Sequence, residues 1–415
     1  MPRRKIIFLY ADSANEWNCS QWRALTPSDS INAEREAGRT QLEAQLFYMP
    51  SALDWSSVAV HRALGEADVL IFQRNIIVPE VWQAMDYWRA LGKVVAVDLD
   101  DHYPDLPASN PAYEYWVRNR GELPESPIKL LAEGMTHADY LISPSKVILQ
   151  DWAHLVRGRW IPNWTRRTWY EKVVQKPVGA PDIVVRSGMQ EGKPVALAQE
   201  REGSAGQVVI GWGGSISHVD SWVFSGIVEA LDRIFEKHPN ARLKFCGGED
   251  RLDRILARWA DRVVRQPGVQ PQDWPHVVST FDIGVAPLDT RPLDPPWREG
   301  APVVSYDERR SWLKAVEYLS AGVPWVASRS ETYNDLAKWG TLTANTADAW
   351  FEALDYKIRH LKQAKAAAWN NRRWALRNVT FEGNVGKYAT EIERMIADRP
   401  AGGRALLPGV LRVGV

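Results

Sequence analysis

Short, wholly apolar runs alternate with longer amphipathic stretches along most of the chain. Lys5–Tyr10 is basic, then apolar, and stops at Ala11-Asp12-Ser13, which predicts a buried strand and a loop. Ala67–Gln73, Lys93–Asp98 and Ala138–Ser143 repeat that form. Between Ala67–Gln73 and Lys93–Asp98, the residues Val81, Trp82, Met85, Trp88 and Leu91 recur at helical spacing, and Gly92 supplies the stop. The pattern ends near Trp160-Ile161-Pro162-Asn163-Trp164. Gln175–Gly206 is rich in Pro, Gly and Glu and weakly periodic, and reads as a linker with a hairpin or loop excursion.

A second series then begins. Gln207–Trp212, Arg242–Cys246, Phe281–Pro287 and Pro324–Ser328 read as strands. Ile227, Val228, Leu231, Ile234 and Phe235 form one helical stripe. Trp312, Leu313, Val316 and Leu319 mark another helix, closed by Gly322 and Pro324. Long helices follow to about Ala397, then a Gly- and Pro-rich tail from Pro400. Strands alternating with helices mean an α/β chain with parallel sheets. Ligands bind outside the carboxyl ends of the strands in such sheets, so two halves offer two such edges, one for each of two substrates.

The chain has 415 residues, which fits two domains, and it carries 51 basic and 51 acidic side chains. Net neutrality argues against holding nucleic acid by bulk charge. Two cysteines, Cys19 and Cys246, cannot build a disulfide framework or a four-cysteine zinc site. The first apolar segment is too short for a signal-peptide core, and no apolar run approaches the ~20 residues of a spanning helix. A cytoplasmic protein is expected, without stable membrane insertion and with peripheral attachment to a membrane open.

The strongest constellation is Ile210-Gly211-Trp212-Gly213-Gly214-Ser215-Ile216-Ser217-His218-Val219-Asp220, between a strand and a helix. Gly213 and Gly214 let the backbone approach a bulky anion, and a following helix start offers free N–H groups. An ordinary βα turn is the plain alternative. No Gly-Lys-Ser/Thr follows, so this is not a Walker loop, and it lacks the third glycine of a dinucleotide fingerprint. In the second constellation Ser311, Lys314 and Glu317 are three apart and share one helix face. An exposed ion pair would look the same. The functional reading has Lys314 meeting a diphosphate and Glu317 accepting from ribose hydroxyls.

The Gly-x-Gly-Gly-Ser loop, the Phe281–Leu288 segment and Lys314-x-x-Glu317-Tyr318-x-x-x-Gly322-x-Pro324 together resemble the C-terminal half of a GT-B glycosyltransferase, nearest the retaining family four type (glycosyl transferases group 1). The resemblance covers most of Val208–Ser328. It implies two Rossmann-like domains facing across a cleft. It implies a nucleotide-sugar donor, a UDP- or GDP-sugar, transferred with retention, with no further cofactor required and no divalent metal expected. Gly213, Gly214 and Ser215 match the phosphate-side loop, Lys314 the diphosphate contact and Glu317 the ribose contact. Ser311 and Val269 join them on the donor side, Val269 by bracketing the base. The first Glu of the family's Glu-x7-Glu pair falls on Arg309, with Asp307 and Glu308 beside it. Arg309 and Arg310 then read as extra positive charge for the leaving diphosphate.

On this reading residues 1–165 form an acceptor-side domain, 166–206 a linker, 207–378 the nucleotide-sugar domain, and 379–415 a C-terminal helix, returning to the first domain, and tail. Arg23, Arg74 and His102 are the acceptor-side candidates. The candidate catalytic residues are His218, Lys314, Arg310, Asp100 and Asp101. Asp98-x-Asp100 has two readings: the spacing by which carboxylates hold a divalent cation in GT-A enzymes, or acceptor recognition in a GT-B cleft. From Lys357 to Arg377 the chain carries Lys357, Arg359, Lys362, Lys365, Arg372, Arg373 and Arg377 and no acid. That is a solvated helix face or a surface for an anionic partner. The acceptor stays open among glycan, lipid-linked, protein and DNA. Rival readings are an inactive nucleotide-sugar-binding scaffold, a nucleic-acid-base glycosyltransferase and a nucleotide-sugar epimerase. Of the 21 tryptophans, Trp82, Trp88 and Trp312 fall on helix stripes, while Trp22, Trp212 and Trp297 are candidates for stacking on a sugar or base.

Overall fold

The computed structural model describes residues 2–12, 19–121, 123–190, 193–214, 216–247 and 250–399. Ser215 and the tail from Pro400 lie outside the described residues. The chain forms two compact units. The first takes the residues up to Pro104, Glu114–Asn163 and the chain from Asn384. The second takes Asp105–Tyr113 and Trp164–Gly383.

The first unit holds β1 (Arg4–Tyr10), β2 (Leu42–Tyr48), β3 (Val69–Gln73), β4 (Val94–Asp98), β5 (Tyr140–Ser143) and β6 (Arg157–Trp160). They form one parallel sheet in the order β2-β1-β3-β4-β5-β6. Ile6, Ile7, Val69, Leu70, Val95 and Val97 are fully buried, because helices cover both faces of a parallel sheet. The helix Pro79–Ala90 forms where the apolar spacing predicts it and buries Val81, Met85 and Trp88. Arg4 grips Glu393 with Nε and Nη2 at 3.0 and 3.1 Å, tying the helix Phe381–Ala397 to the start of β1.

The hairpin strands β7 (Ile183–Gln190) and β8 (Lys193–Arg201) pair antiparallel. The second parallel sheet follows: β9 (Val208–Gly213), β10 (Ala241–Cys246), β11 (Val263–Gln266), β12 (Ile283–Ala286), β13 (Trp325–Ser328) and β14 (Thr341–Thr343), in the order β11-β10-β9-β12-β13-β14. Strand order reverses between β9 and β12, so the β9 carboxyl end stands at the switch point of a doubly wound sheet.

The two faces of β9 carry different cores. Val208, Ile210 and Trp212 pack with Leu231, Ile234, Phe245 and Trp350 on one side. Val209 packs with Phe281, Val316 and Tyr318 on the other. On that second face a Cβ at Gly211 would lie 2.0 Å from the Phe281 ring, and one at Gly213 2.2 Å from Trp274. Those glycines are there so that aromatic rings can lie directly on the strand backbone.

Candidate functional site

The helix Leu313–Ala321 starts beside the end of β9 and stops at Gly322, whose φ of 72° is the left-handed cap that the sequence predicts. Its first turn brings Lys314 to the glycine loop. Lys314 Nζ donates to Gly213 O at 2.9 Å and sits 5.2 Å from the centroid of the Trp212 ring. A Cβ at Gly214 would fall 2.7 Å from the buried Trp212 ring and 2.8 Å from that ammonium, so a side chain there would crowd both. One turn later Glu317 is buried at 6% exposure and accepts from the Trp274 side chain. Trp274 is the same ring that covers Gly213.

Burial sets the charge state of this pair. It pushes the Lys314 ammonium down to about 8, with the neighbouring Glu317 opposing and Arg310 adding to the shift. Burial likewise raises the Glu317 carboxyl to about 7, against the pull of Lys314 and the Trp274 hydrogen bond.

Arg310 joins the loop after β9 to a buried carboxylate. Its Nε donates to Asp307 Oδ1 at 2.6 Å and its Nη2 to Ser217 O at 2.7 Å. Asp307 is 3% exposed and also accepts from Ser221 Oγ and the Asp289 amide. His218 is buried beside this cluster, with Nδ1 3.2 Å from Ser221 Oγ. Burial, then the charges of Arg310 and Lys314, hold its imidazole well below the ordinary histidine range. Ser311 is part-buried two residues before the helix, and Val269 packs against the Phe281 core. The hairpin steadies the Val269 segment, since Ser187 Oγ accepts from the Gln270 amide at 2.6 Å and donates to Asp273 at 2.6 Å.

Gly213, Gly214, Lys314, Glu317, Arg310 and His218 are thus linked around one strand end. Two neighbouring expectations are corrected. Arg309 is 1% exposed and spends its guanidinium on the carbonyls of Pro302, Val304 and Ser305, so it pins a loop instead of meeting phosphate. Trp212 is fully buried within β9, stacked on Phe245 at 4.5 Å, and offers no face to a ligand. Trp274 and Ser221 are the members outside the motifs read from the sequence. Ser221, three residues after His218 at the next helix start, was the one with a local signal.

The first unit's candidates divide. Arg23 is 5% exposed and grips Asp98 with Nε and Nη2 at 2.8 and 2.7 Å, while Nη1 meets Ile161 O and Asn163 Oδ1. It is a buried clamp instead of an acceptor-side ligand, and it removes Asp98 from the Asp98-x-Asp100 metal reading. His102 is likewise buried, 3.1 Å from Asp151, and is not an acceptor-side group at a surface. Arg74 stays partly exposed, pairs with Asp12, and adopts a positive φ of 41°. Asp100 is raised to about 6 by burial and then by Asp101, against a hydrogen bond with Cys19. Among the described residues no three His, Cys, Asp or Glu side chains are grouped to hold a metal ion.

The basic run is partly committed inside the fold. Lys365 is 3% exposed and pairs with Asp282 at 2.7 Å. Arg372 donates to the carbonyls of Ser320 and Tyr170, and Arg359 pairs with Asp355 at 2.9 Å. Lys362, Arg373 and Arg377 remain exposed. No helix among the described residues is long and apolar enough to cross a membrane.

No protein family profile matches the sequence, and no curated protein does. Solved structures do match in shape. A sucrose-phosphate synthase from Thermosynechococcus elongatus aligns with a TM-score of 0.55 at 12% identity, over 95% of this chain and 100% of that one. A UDP-forming α,α-trehalose-phosphate synthase from Burkholderia xenovorans gives 0.54 at 10% identity, over 96% and 100%. A trehalose-6-phosphate protein from E. coli bound with UDP-2-fluoro glucose gives 0.51 at 9% identity, over 94% and 99%. At such identities the likeness establishes architecture, and with two parallel six-stranded sheets the chain has the two-domain GT-B fold.

Proposed function

We propose that the chain is a glycosyltransferase that takes its sugar from a nucleoside diphosphate donor bound on the second unit. One observation carries this reading: Lys314 and Glu317 stand one helical turn apart beside the Gly213–Gly214 turn, at the carboxyl end of the switch-point strand. An ammonium and glycine backbone suit a diphosphate, and a carboxylate one turn deeper suits a vicinal diol such as ribose. Arg310 adds a second cation held in place by Asp307.

In the reaction the bond from the sugar's anomeric carbon to the diphosphate oxygen breaks. A bond to the acceptor oxygen forms, and the acceptor hydroxyl passes its proton to the departing diphosphate oxygen. Charge grows on the departing diphosphate, and Lys314 and Arg310 are the groups that offset it. The resemblance that places Glu317 on the ribose also implies retention. The UDP named for two of the similar structures supports UDP as the first nucleotide to test. Asp100, Asp101 and Arg74 are the first unit's remaining candidates for binding acceptor.

The test is release of nucleoside diphosphate from UDP- and GDP-sugars with sugar, sugar-phosphate, lipid-linked, peptide and DNA acceptors. Release that vanishes in Lys314→Ala and Glu317→Ala is the expected result. Nucleotide binding without release across these acceptors would make the chain a binding protein.

A further inference from the structure

Ser221 stands between a carboxylate and a histidine, and its single proton decides the state of both. Its hydroxyl lies 2.5 Å from Asp307 Oδ2 and 3.2 Å from His218 Nδ1. Asp307 accepts on both oxygens, from Arg310 Nε on one and from the Asp289 amide on the other. The Ser221 proton therefore goes to Asp307, and the Ser221 oxygen is left to accept. The hydrogen between Ser221 and the ring must then come from His218 Nδ1. A neutral imidazole protonated at Nδ1 carries its lone pair at Nε2.

The ring is fixed in that orientation. It is 7% exposed and stands edge-on to Trp212 at 5.8 Å and 84°. Among the described residues Nε2 meets no hydrogen-bonding partner. We propose that Asp307 and Ser221 form a positioning relay that presents His218 Nε2 as a hydrogen-bond acceptor to a hydroxyl of the donor's sugar, and not as a cation to its phosphates. The proposal rests on the donor-site reading above. Phosphate oxygens carry no hydrogen for a lone pair to accept, whereas sugar hydroxyls do. The cations beside the ring, Arg310 and Lys314, already serve phosphate and disfavour a third positive charge. Asp307 is then a positioning residue that holds Arg310 with one oxygen and sets the histidine tautomer with the other.

Two measurements test it. In the first, histidine ¹⁵N NMR at pH 7 resolves the ring nitrogens, with His218 assigned by its absence in His218→Gln. The expected spectrum has Nδ1 protonated and Nε2 bare, and Ser221→Ala shifts the ring toward the Nε2–H form. An Nε2–H ring in the wild type, or no change in Ser221→Ala, overturns the relay. In the second, calorimetry compares UDP with UDP-glucose on wild type, His218→Gln and His218→Phe, each checked for a native melting transition. His218→Phe should weaken UDP-glucose about five- to tenfold and UDP less than about twofold, while His218→Gln, which keeps an acceptor oxygen, restores most of the loss. Equal loss for both probes would make His218 a nucleotide or phosphate contact and overturn the proposal. An unchanged UDP-glucose affinity in His218→Phe overturns it as well, with the donor site intact. A wild type that binds neither probe, nor GDP and GDP-mannose titrated in the same way, would remove the donor-site reading itself.

Discussion

The Lys314 ammonium donates to the Gly213 carbonyl across 2.9 Å, which closes the first turn of one helix onto the end of the switch-point strand. The carbonyl orients the lysine along the glycine loop before any ligand arrives. A pre-placed cation of this kind loses little side-chain freedom when an anion binds.

That arrangement is costly to the empty protein. Glu317 is raised by burial, so its contribution to stability is present at low pH and is lost as pH rises through about 7. Lys314 is lowered, so its contribution is present above the ordinary lysine range and is lost as pH falls through about 8. Both penalties therefore operate near neutrality. The double variant Lys314→Met, Glu317→Gln should raise the Tm at pH 7.5 by about 2–4 °C per kcal/mol relieved, with about 1–4 kcal/mol the range for a replaced buried pair. It should also lose every nucleotide-induced shift. Thermal melts with and without nucleotide measure both.

The same shifts set a pH window for binding. On the proposed donor site, a diphosphate needs Lys314 protonated, and a ribose contact is strongest with Glu317 ionised. Affinity for a nucleoside diphosphate should peak between about pH 7 and 8 and fall on either side. Calorimetric titration from pH 6 to pH 9 reads the profile, and Glu317→Gln should flatten its acid side.

Arg310 uses the guanidinium fork, with one nitrogen on Asp307 and another on the Ser217 carbonyl. A lysine cannot span both. Arg310→Lys should weaken nucleoside diphosphate binding about tenfold, and Asp307→Asn should give a similar loss through the misplaced arginine. Affinity measured alongside the melting curve separates this from unfolding.

Below the second sheet, Asp282 holds two lysines, Lys176 at 2.8 Å and Lys365 at 2.7 Å, and accepts from the Val209 amide at 2.9 Å. It is fully buried. Asp282→Ala would strand two ammonium groups and should cost about 3–5 kcal/mol. Denaturant unfolding of the variant checks the figure.

The strands and the glycine loop were legible because they are local. Val208–Trp212 is a continuous apolar run ending in glycines, and Lys314 and Glu317 are three apart on one helix. The fates of the charged residues were not. Arg23 meets Asp98 and Asn163, and Lys365 meets Asp282, partners 75, 140 and 83 positions away, so nothing near them in the sequence marks them as spent. Trp212 misled for a related reason. Its neighbours in sequence are glycines, but Phe245 of the adjacent strand buries it.

The most direct measurement is a thermal-shift screen of the wild type, Lys314→Ala and Glu317→Ala with UDP, GDP, ADP, CDP and dTDP. A nucleoside diphosphate that raises the wild-type Tm, with the increase lost in both variants, is the predicted result. No shift with any of the five, or a shift that survives in both variants, would contradict a donor site at Gly213, Lys314 and Glu317.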